Sequence, residues 1–185
     1  MIERKNKRYA KIGVFAVAHN TYFSQFDGLY DNIMGYHNDF CKMTKENNVE
    51  IIDFGMIDSS EKAYEVVPKI LAENVDVLFC NMVTYATSSV FVPIIKEVNK
   101  PMVLIALQPR AALDYTKAST FMQLENDNIC SVPEFTGVAI RMGKKISDVI
   151  IGCLYDDKDA EKEVSKWCDI AKVLHLASLM GWLFT

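Results

Sequence analysis

The amino-acid sequence predicts a three-layer α/β domain, in which helices cover both faces of a doubly wound, five-stranded parallel sheet with the strand order 2-1-3-4-5. Short apolar runs alternate along the chain with amphipathic stretches, the pattern that alternating strands and helices produce. The apolar runs are nearly continuous, as expected of parallel strands buried on both faces. Right-handed crossovers between such strands then give the doubly wound arrangement. The predicted strands lie near residues 11–18, 49–54, 75–81, 101–107 and 148–155.

The first strand and the first helix are predicted from adjoining segments. The run KIGVFAVA (11–18) has the length and β-branched content of a buried strand. In the segment 22–48, aromatic and aliphatic residues recur every three or four positions, which predicts a helix with one apolar face. Asn47 and Asn48 mark its expected end.

The second strand, VEIIDFG (49–55), is followed by a predicted helix over residues 61–74. Ser59 or Ser60 can cap the start of that helix with a side-chain oxygen. Pro68 lacks a backbone N–H group, so it should kink the helix or begin a new turn.

The second half of the chain repeats the alternation of strand and helix. Its predicted elements are strand 75–82, helix 88–99 with an internal proline, strand 101–107, helix 132–145, strand 147–157 and helix 159–178. The connection 108–133 shows no clear period. A connection of that length in a compact domain is usually functional or contains an unrecognised element. The whole pattern corresponds to a flavodoxin-like topology.

One domain accounts for most of the chain. A length of 185 residues suits a single core, and we assign residues 11–178 to one α/β domain. Residues 1–10 form a basic lead-in without the pattern of a secretory signal. Residues 179–185 are apolar, and we expect them to be the start of a following domain or an apolar tail.

Charge and cysteine usage restrict the class of function. The formal net charge of −4 argues against binding to nucleic acid or to an anionic membrane. No apolar run approaches the roughly 20 residues of a membrane-spanning helix. The five cysteines form no CxxC pair, and Cys80 and Cys153 lie within predicted strands. This usage favours the reducing cytoplasm over a disulfide framework.

Polar side chains stand at the carboxyl ends of the predicted strands, where doubly wound sheets bind ligands. His19 and Tyr22 follow the first strand. Asn81 ends the third strand and Gln108 ends the fourth. We predict that these four residues contact a substrate in one crevice. Nearly all the polar residues here are uncharged hydrogen-bonding groups, which suit an uncharged, polyhydroxylated ligand such as a sugar. Further polar residues close to the same strand ends are Thr84, Tyr85, Thr87, Arg110, Gln123, Glu125, Asn126, Asp127 and Asn128.

Each of these signals also has a structural interpretation. His19 could cap the next helix or bond a nearby carbonyl, and Tyr22 with Phe23 could form a hydrophobic staple. Gln108 could satisfy backbone groups in a turn. His37 and His175 lie within predicted helices and are interpreted as structural.

Several chemistries lack their motifs. The first strand is followed by neither GxGxxG nor GxxxxGK[ST], and no GxSxG occurs. The three histidines have no HxxxH spacing, and the acidic candidates Glu125 and Asp127 lie far from His19 in the sequence. We therefore expect no catalytic residue and no bound metal or other cofactor in this chain alone.

Three segments carry a resemblance to a known family. They are QFDGLYDNI in the first helix, VLFCNMVTYATSSVFVPIIKEVNKPMVLIALQP across the third and fourth strands, and FMQLENDNICSVPEFTGVAIRMGKK. In order and spacing they resemble the N-terminal domain of the L-arabinose isomerase and L-fucose isomerase superfamily of sugar ketol-isomerases. The resemblance extends over nearly the whole chain, to about residue 176.

The resemblance implies a cytoplasmic, multi-domain, oligomeric enzyme that interconverts an aldose and a ketose through an enediol. It implies a divalent ion, usually Mn²⁺, held by residues of later domains, and an N-terminal domain that contributes to the oligomer contact and to the neighbouring subunit's substrate site. Gln108 matches the family's substrate-contacting Gln, and the His19–Tyr22 turn matches its sugar-contacting turn. Arabinose isomerases have Gln-His-Leu-Tyr in that turn, so the identity of the sugar is left open.

Two other classes of protein remain alternatives. The segment NTYFSQFDGLYDNI also resembles the first turn of periplasmic sugar-binding and repressor-core domains, which bind sugars without catalysis. A stand-alone flavodoxin-like protein without a cofactor is the third interpretation, because HNTYF is a poor phosphate-binding loop for a flavin.

Overall fold

The computed structural model describes residues 9–181. Its strands are β1 (Lys11–Val17), β2 (Glu50–Ile57), β3 (Val77–Met82), β4 (Met102–Gln108) and β5 (Asp148–Cys153). Its helices are α1 (Leu29–Lys45), α2 (Ser60–Glu73), α3 (Val92–Glu97), α4 (Thr120–Glu125), α5 (Val132–Arg141) and α6 (Lys158–Leu179). Residues 1–8 of the predicted lead-in and residues 182–185 of the predicted apolar tail lie outside the described part of the chain.

All five strands are parallel and follow the order β2-β1-β3-β4-β5, which confirms the predicted fold class. The strand order reverses between β1 and β3, where Ala16 pairs with Asn81. On its other side, β1 pairs with β2 through a register shift between Val14 and Ala16. Gly55 accommodates this irregularity with a φ of 74°, a conformation that favours glycine.

Apolar side chains fill both faces of the sheet, as the nearly continuous apolar strands predict. On one face α2, α3 and α5 pack against β1, β3 and β4, and the rings of Phe91 and Phe135 stack with centroids 4.5 Å apart. On the other face α1 and α6 bury Phe40 and Trp167 against the sheet. No helix within residues 9–181 has the length and apolar character needed to cross a membrane.

Several predicted helix boundaries were wrong. The first helix begins at Leu29 rather than at residue 22, because residues 20–22 form a 3₁₀ turn and Gly28, with a φ of 81°, immediately precedes the helix. The predicted helix 88–99 is a 3₁₀ turn at 88–90 followed by the short α3.

The helices α4 and α2 also bear on the predictions. The connection 108–133 contains an unpredicted helix, α4, whose first turn is capped by Ser119, which accepts a hydrogen bond from the N–H of Met122 at 3.2 Å. The predicted cap of α2 is Ser59, which accepts from the N–H of Lys62 at 3.3 Å. The helix α2 continues through Pro68, so no new helix begins at this proline.

Candidate functional site

Three aromatic rings meet at the carboxyl edge of the sheet, where the strand order reverses. The ring centroids of His19 and Tyr22 are 5.6 Å apart, and Tyr85 lies 6.5 Å from His19 and 6.4 Å from Tyr22. All three side chains are half-buried. We call His19, Tyr22 and Tyr85 the ring cluster. The sequence predicted two of its members as substrate contacts and noted the third near the end of the third strand.

Short turns hold the ring cluster in place. The N–H of Asn20 donates to the carbonyl of Asp58 at 3.3 Å, and the N–H of Tyr22 donates to the carbonyl of His19 at 3.2 Å. Burial, with Tyr85 and Asp127 nearby, raises the pKa of the Tyr22 hydroxyl, so this group stays protonated and can donate a hydrogen bond. The ring cluster therefore presents apolar faces together with polar tips.

The other two predicted substrate residues, Asn81 and Gln108, have partners inside the protein. Asn81 is buried, and its Nδ2 donates to His37 Nδ1 at 3.1 Å. Gln108 is half-buried, and its Nε2 donates to the carbonyl of Asn126 at 2.7 Å. The structure thus brings His19 and Tyr22 together and engages Asn81 and Gln108 in internal hydrogen bonds, and their roles in substrate binding stay predictions.

A buried carboxylate organises the connection after β4. The Glu125 side chain is 2 % exposed, and its Oε2 lies 3.0 Å from Nη1 of Arg110. Its Oε1 accepts hydrogen bonds from Asn32 Nδ2 at 2.8 Å and from the Tyr36 hydroxyl at 3.1 Å. Burial and the neighbouring Glu125 raise the pKa of Tyr36, which keeps this hydroxyl a donor. Glu125 therefore joins α1 to the segment that follows β4.

The same network lines a cavity of about 540 Å³ near the carboxyl edge, a volume typical of small-molecule sites. Its lining combines carboxylates, one arginine and aromatic rings: Asp31, Asn32, Gly35, Tyr36, Asp39, Arg110, Phe121, Met122, Glu125 and Tyr155. We call this the Glu125 cavity. Across it, the hydroxyl of Tyr155 donates to Asp39 Oδ2 at 2.9 Å, and burial together with this bond raises the pKa of Tyr155 to about 12.

Sequence reasoning noted Arg110 and Glu125 but missed the contribution of α1 to this cavity. Asn32 and Tyr36 are four positions apart and share one face of α1, a spacing that could have indicated a polar contact surface on this helix. Their partner Glu125 is 93 and 89 residues away, so the sequence could not identify the pairing.

A second polar cluster lies between α1 and the edge strand β2. His37 is fully buried, and its Nε2 donates to Asp53 Oδ1 at 3.0 Å, while Cys41 Sγ lies 3.7 Å from the same nitrogen. Burial raises the pKa of the Cys41 thiol to about 12. Burial alone would raise the pKa of Asp53, but hydrogen bonds from His37 and the N–H of Gly55 hold it below its usual value. His37 thus contacts Asp53 inside the protein, within a set of three metal-ligating residue types, and the structural role expected for it stays a prediction.

Buried polar contacts fasten the connection 108–133 to the end of β3. The hydroxyl of Ser131 accepts from the N–H of Ala86 at 2.8 Å and donates to its carbonyl at 2.7 Å. Asn128 Nδ2 donates to the carbonyl of Met82 at 2.7 Å. These bonds place residues 127–131 beside the ring cluster.

No protein-family model matches the chain, and a search of curated proteins finds no significant match.

Proposed function

We propose that this chain binds a sugar at the carboxyl edge of its sheet, as the N-terminal substrate-side and oligomerisation domain of a cytoplasmic, metal-dependent aldose–ketose isomerase. The observation that carries the proposal is the half-buried ring cluster of His19, Tyr22 and Tyr85 at the point where the strand order reverses. Open α/β sheets bind their ligands at this point. Aromatic faces can pack against the C–H groups of a sugar ring while the polar tips bond its hydroxyl groups.

The proton transfers and the divalent ion are assigned to residues outside this chain. Asp127 is the acidic residue whose charge helps to raise the pKa of Tyr22 in the ring cluster. Its Oδ1 already accepts a hydrogen bond from the thiol of Cys130. A Mn²⁺ ion prefers several oxygen ligands, so these residues do not fit a site for it. Their proposed role is to orient the sugar in a homo-oligomer, in which a neighbouring subunit completes the site.

A sugar-binding module without catalysis is the second candidate function. The Glu125 cavity supports it, because carboxylates, an arginine and aromatic rings from a single chain line this open depression of about 540 Å³. In that case Asp39 and Tyr155, rather than the ring cluster, would contact the sugar.

Binding measurements on paired variants separate the two functions. Saturation-transfer NMR with a panel of pentoses and hexoses, as aldoses and ketoses, should show contact between a sugar and the native chain. If the ring cluster binds the sugar, Tyr22→Leu should abolish the signal and Asp39→Asn should leave it intact. The reverse result favours the binding module, and no signal for any sugar contradicts both functions.

The isomerase assignment has a separate test in the gene. Reading the open reading frame beyond Thr185 should reveal a continuation with Glu and His residues able to bind a divalent ion. A stop codon at that point, without a neighbouring gene for such a domain, would contradict the isomerase proposal.

A further inference from the structure

We propose that His37, Cys41 and Asp53 form a binding site for a borderline-soft divalent ion of the Zn²⁺ type. The three side chains come from α1 and β2, and their ligand atoms all lie within 4.8 Å of one another. They offer one imidazole nitrogen, one sulfur and one carboxylate oxygen, which are the donor types of zinc sites. This site is independent of the proposed sugar function.

The directions of the side chains favour coordination over a catalytic relay. A nucleophile–base–acid relay places the thiol and the carboxylate on opposite nitrogens of the imidazole. Here Cys41 Sγ and Asp53 Oδ1 both face Nε2 of His37, at 3.7 Å and 3.0 Å. Three donors that converge on one point fit a shared ion between them.

The sulfur–nitrogen and nitrogen–oxygen distances are close to those of a tetrahedral zinc site, and the sulfur and oxygen atoms lie within 4.8 Å of each other. At ordinary Zn–S and Zn–N bond lengths, tetrahedral angles separate the sulfur and nitrogen ligands by about 3.6 Å and the nitrogen and oxygen ligands by about 3.4 Å. The sulfur–nitrogen distance of 3.7 Å already agrees, and the nitrogen–oxygen distance of 3.0 Å must open by a few tenths of an ångström. A rotation of the Asp53 carboxylate provides such a shift, because its side chain is 39 % exposed.

Neighbouring groups position the ligands. Asn81 contacts the far nitrogen of His37, Nδ1, at 3.1 Å, which fixes the ring plane. When Nε2 binds an ion, Nδ1 carries the proton, and the Asn81 carboxamide turns its oxygen towards it, the usual support for a metal-bound histidine. The N–H of Gly55 donates to Asp53 Oδ1 at 2.8 Å and holds that carboxylate next to the bulge in β2.

The charge of the three ligands and the exposure of Asp53 also favour a divalent ion. Binding releases the thiol proton to solvent, so one thiolate and one carboxylate neutralise the two positive charges of the ion. The exposed Asp53 side chain leaves a route from solvent, by which a water can reach the fourth ligand position. Thiolate ligation selects Zn²⁺ or Co²⁺ over Mn²⁺ and Mg²⁺. The bound ion would fasten α1 to the edge strand β2.

The proposal revises the sequence-based expectation that the chain alone binds no divalent metal. That expectation rested on the absence of HxxxH spacing and on the wide separation of Glu125 and Asp127 from His19 in the sequence. His37 and Cys41 have the same i,i+4 spacing with a sulfur in the second position, and they share one face of α1. The contribution of Asp53 depends on how α1 docks on β2.

The test uses the reduced, untagged chain and Co²⁺ as a spectroscopic probe. One equivalent of Co²⁺ should give visible bands of four-coordinate cobalt and a near-ultraviolet thiolate-to-cobalt band, and Zn²⁺ should displace it. Cys41→Ser should remove the near-ultraviolet band. Asp53→Asn should keep the thiolate band and weaken binding by at least about tenfold. Cys130→Ser is the matched control, because Cys130 is an exposed thiol that also bonds a carboxylate, Asp127, and this variant should bind as the native chain does.

A measurement on the native chain covers the case in which a variant does not fold. Zn²⁺ should slow alkylation of Cys41, followed by peptide mass spectrometry, and leave alkylation of Cys130 unchanged. Stoichiometric cobalt binding without a sulfur band, loss of that band in Cys130→Ser, or unchanged alkylation of Cys41 would each overturn the proposal.

Discussion

Replacing Glu125 by Gln tests whether the buried carboxylate holds the carboxyl edge together. The side chain is 2 % exposed and accepts hydrogen bonds from Asn32, Tyr36 and Arg110. Gln has nearly the same shape, but it replaces one acceptor oxygen by an NH₂ group. The NH₂ group must face at least one of the three donors. One buried hydrogen bond is then lost, and two hydrogen-bond donors point at each other.

The expected loss of unfolding free energy follows from these contacts. A hydrogen bond to a charged group contributes about 1.5–3 kcal/mol. The Arg110 side chain is 38 % exposed, so its ion pair with Glu125 is partly screened and contributes about 1 kcal/mol at most. Since Gln keeps one acceptor, we expect Glu125→Gln to cost about 2–3 kcal/mol, which in a domain of this size lowers Tm by about 4–12 °C.

Urea unfolding followed by circular dichroism measures the loss directly. Glu163→Gln is the matched control, because Glu163 is 44 % exposed and its contact with Lys166 at 2.9 Å is an i,i+3 surface pair. The control should unfold at nearly the native midpoint. If the two variants lose equal stability, Glu125 does not hold the edge together. If Glu125→Gln instead loses only sugar binding, the carboxylate serves a ligand in the cavity.

Four further predictions concern the core, a helix cap, the predicted substrate residue and catalysis. Ile105→Ala removes a fully buried side chain from β4 and should cost about 2–5 kcal/mol in urea unfolding, whereas a loss under 1 kcal/mol would contradict the core packing described. Two backbone N–H groups at the start of α6 and the end of β5 hold the pKa of Asp157 below its usual value, so its stabilising effect is present above the unfolded pKa of about 3.9 and is lost as pH falls through the folded pKa. Melting curves of Asp157→Ala and the native chain should therefore differ at neutral pH and converge as the pH falls below the unfolded pKa. Gln108→Ala should cost about 0.5–1.5 kcal/mol through the lost bond to Asn126 and should weaken sugar binding, and unchanged affinity would leave Gln108 a purely structural residue. The chain alone, assayed with Mn²⁺ and the sugar panel, should form no ketose above the blank, since the proposal assigns the acid–base pair that acts on the two adjacent carbons to residues outside this chain.

The strand order was predictable, whereas several helix boundaries and one helix were not. The central strands β1, β3 and β4 are buried on both faces and nearly continuously apolar, so their positions follow from hydropathy. The start of α1 depends on Gly28 in a left-handed conformation, and the apolar spacing from residue 22 onward concealed it. The helix α4 has six residues, too few for a helical period to be recognised.

In the candidate site, contacts between residues close together in the sequence were predictable, whereas contacts between distant residues were not. His19 and Tyr22 are three positions apart, and the turn after β1 brings their rings together. The contact between Glu125 and Asn32 spans 93 residues, so it depends on how the chain folds back over the sheet. A sequence shows which side chains can bond, but their partners are determined by the packing of elements that are far apart along the chain.

Internal hydrogen bonds and ligand binding compete for the same polar side chains, and this competition ranks the four predicted substrate residues. A sugar hydroxyl that takes over the N–H group that Asn81 gives to His37, or the one that Gln108 gives to the Asn126 carbonyl, must displace that partner, at a cost of about 0.5–1.5 kcal/mol for each broken bond. The Tyr22 hydroxyl has no hydrogen-bond partner within residues 9–181, and the imidazole of His19 has only a 3.3 Å contact with an exposed threonine. A ligand therefore gains more from the ring cluster than from the two amides. In the binding panel, His19→Ala and Tyr22→Leu should each reduce sugar affinity more than Gln108→Ala, and the opposite order would contradict the ring cluster as the contact surface.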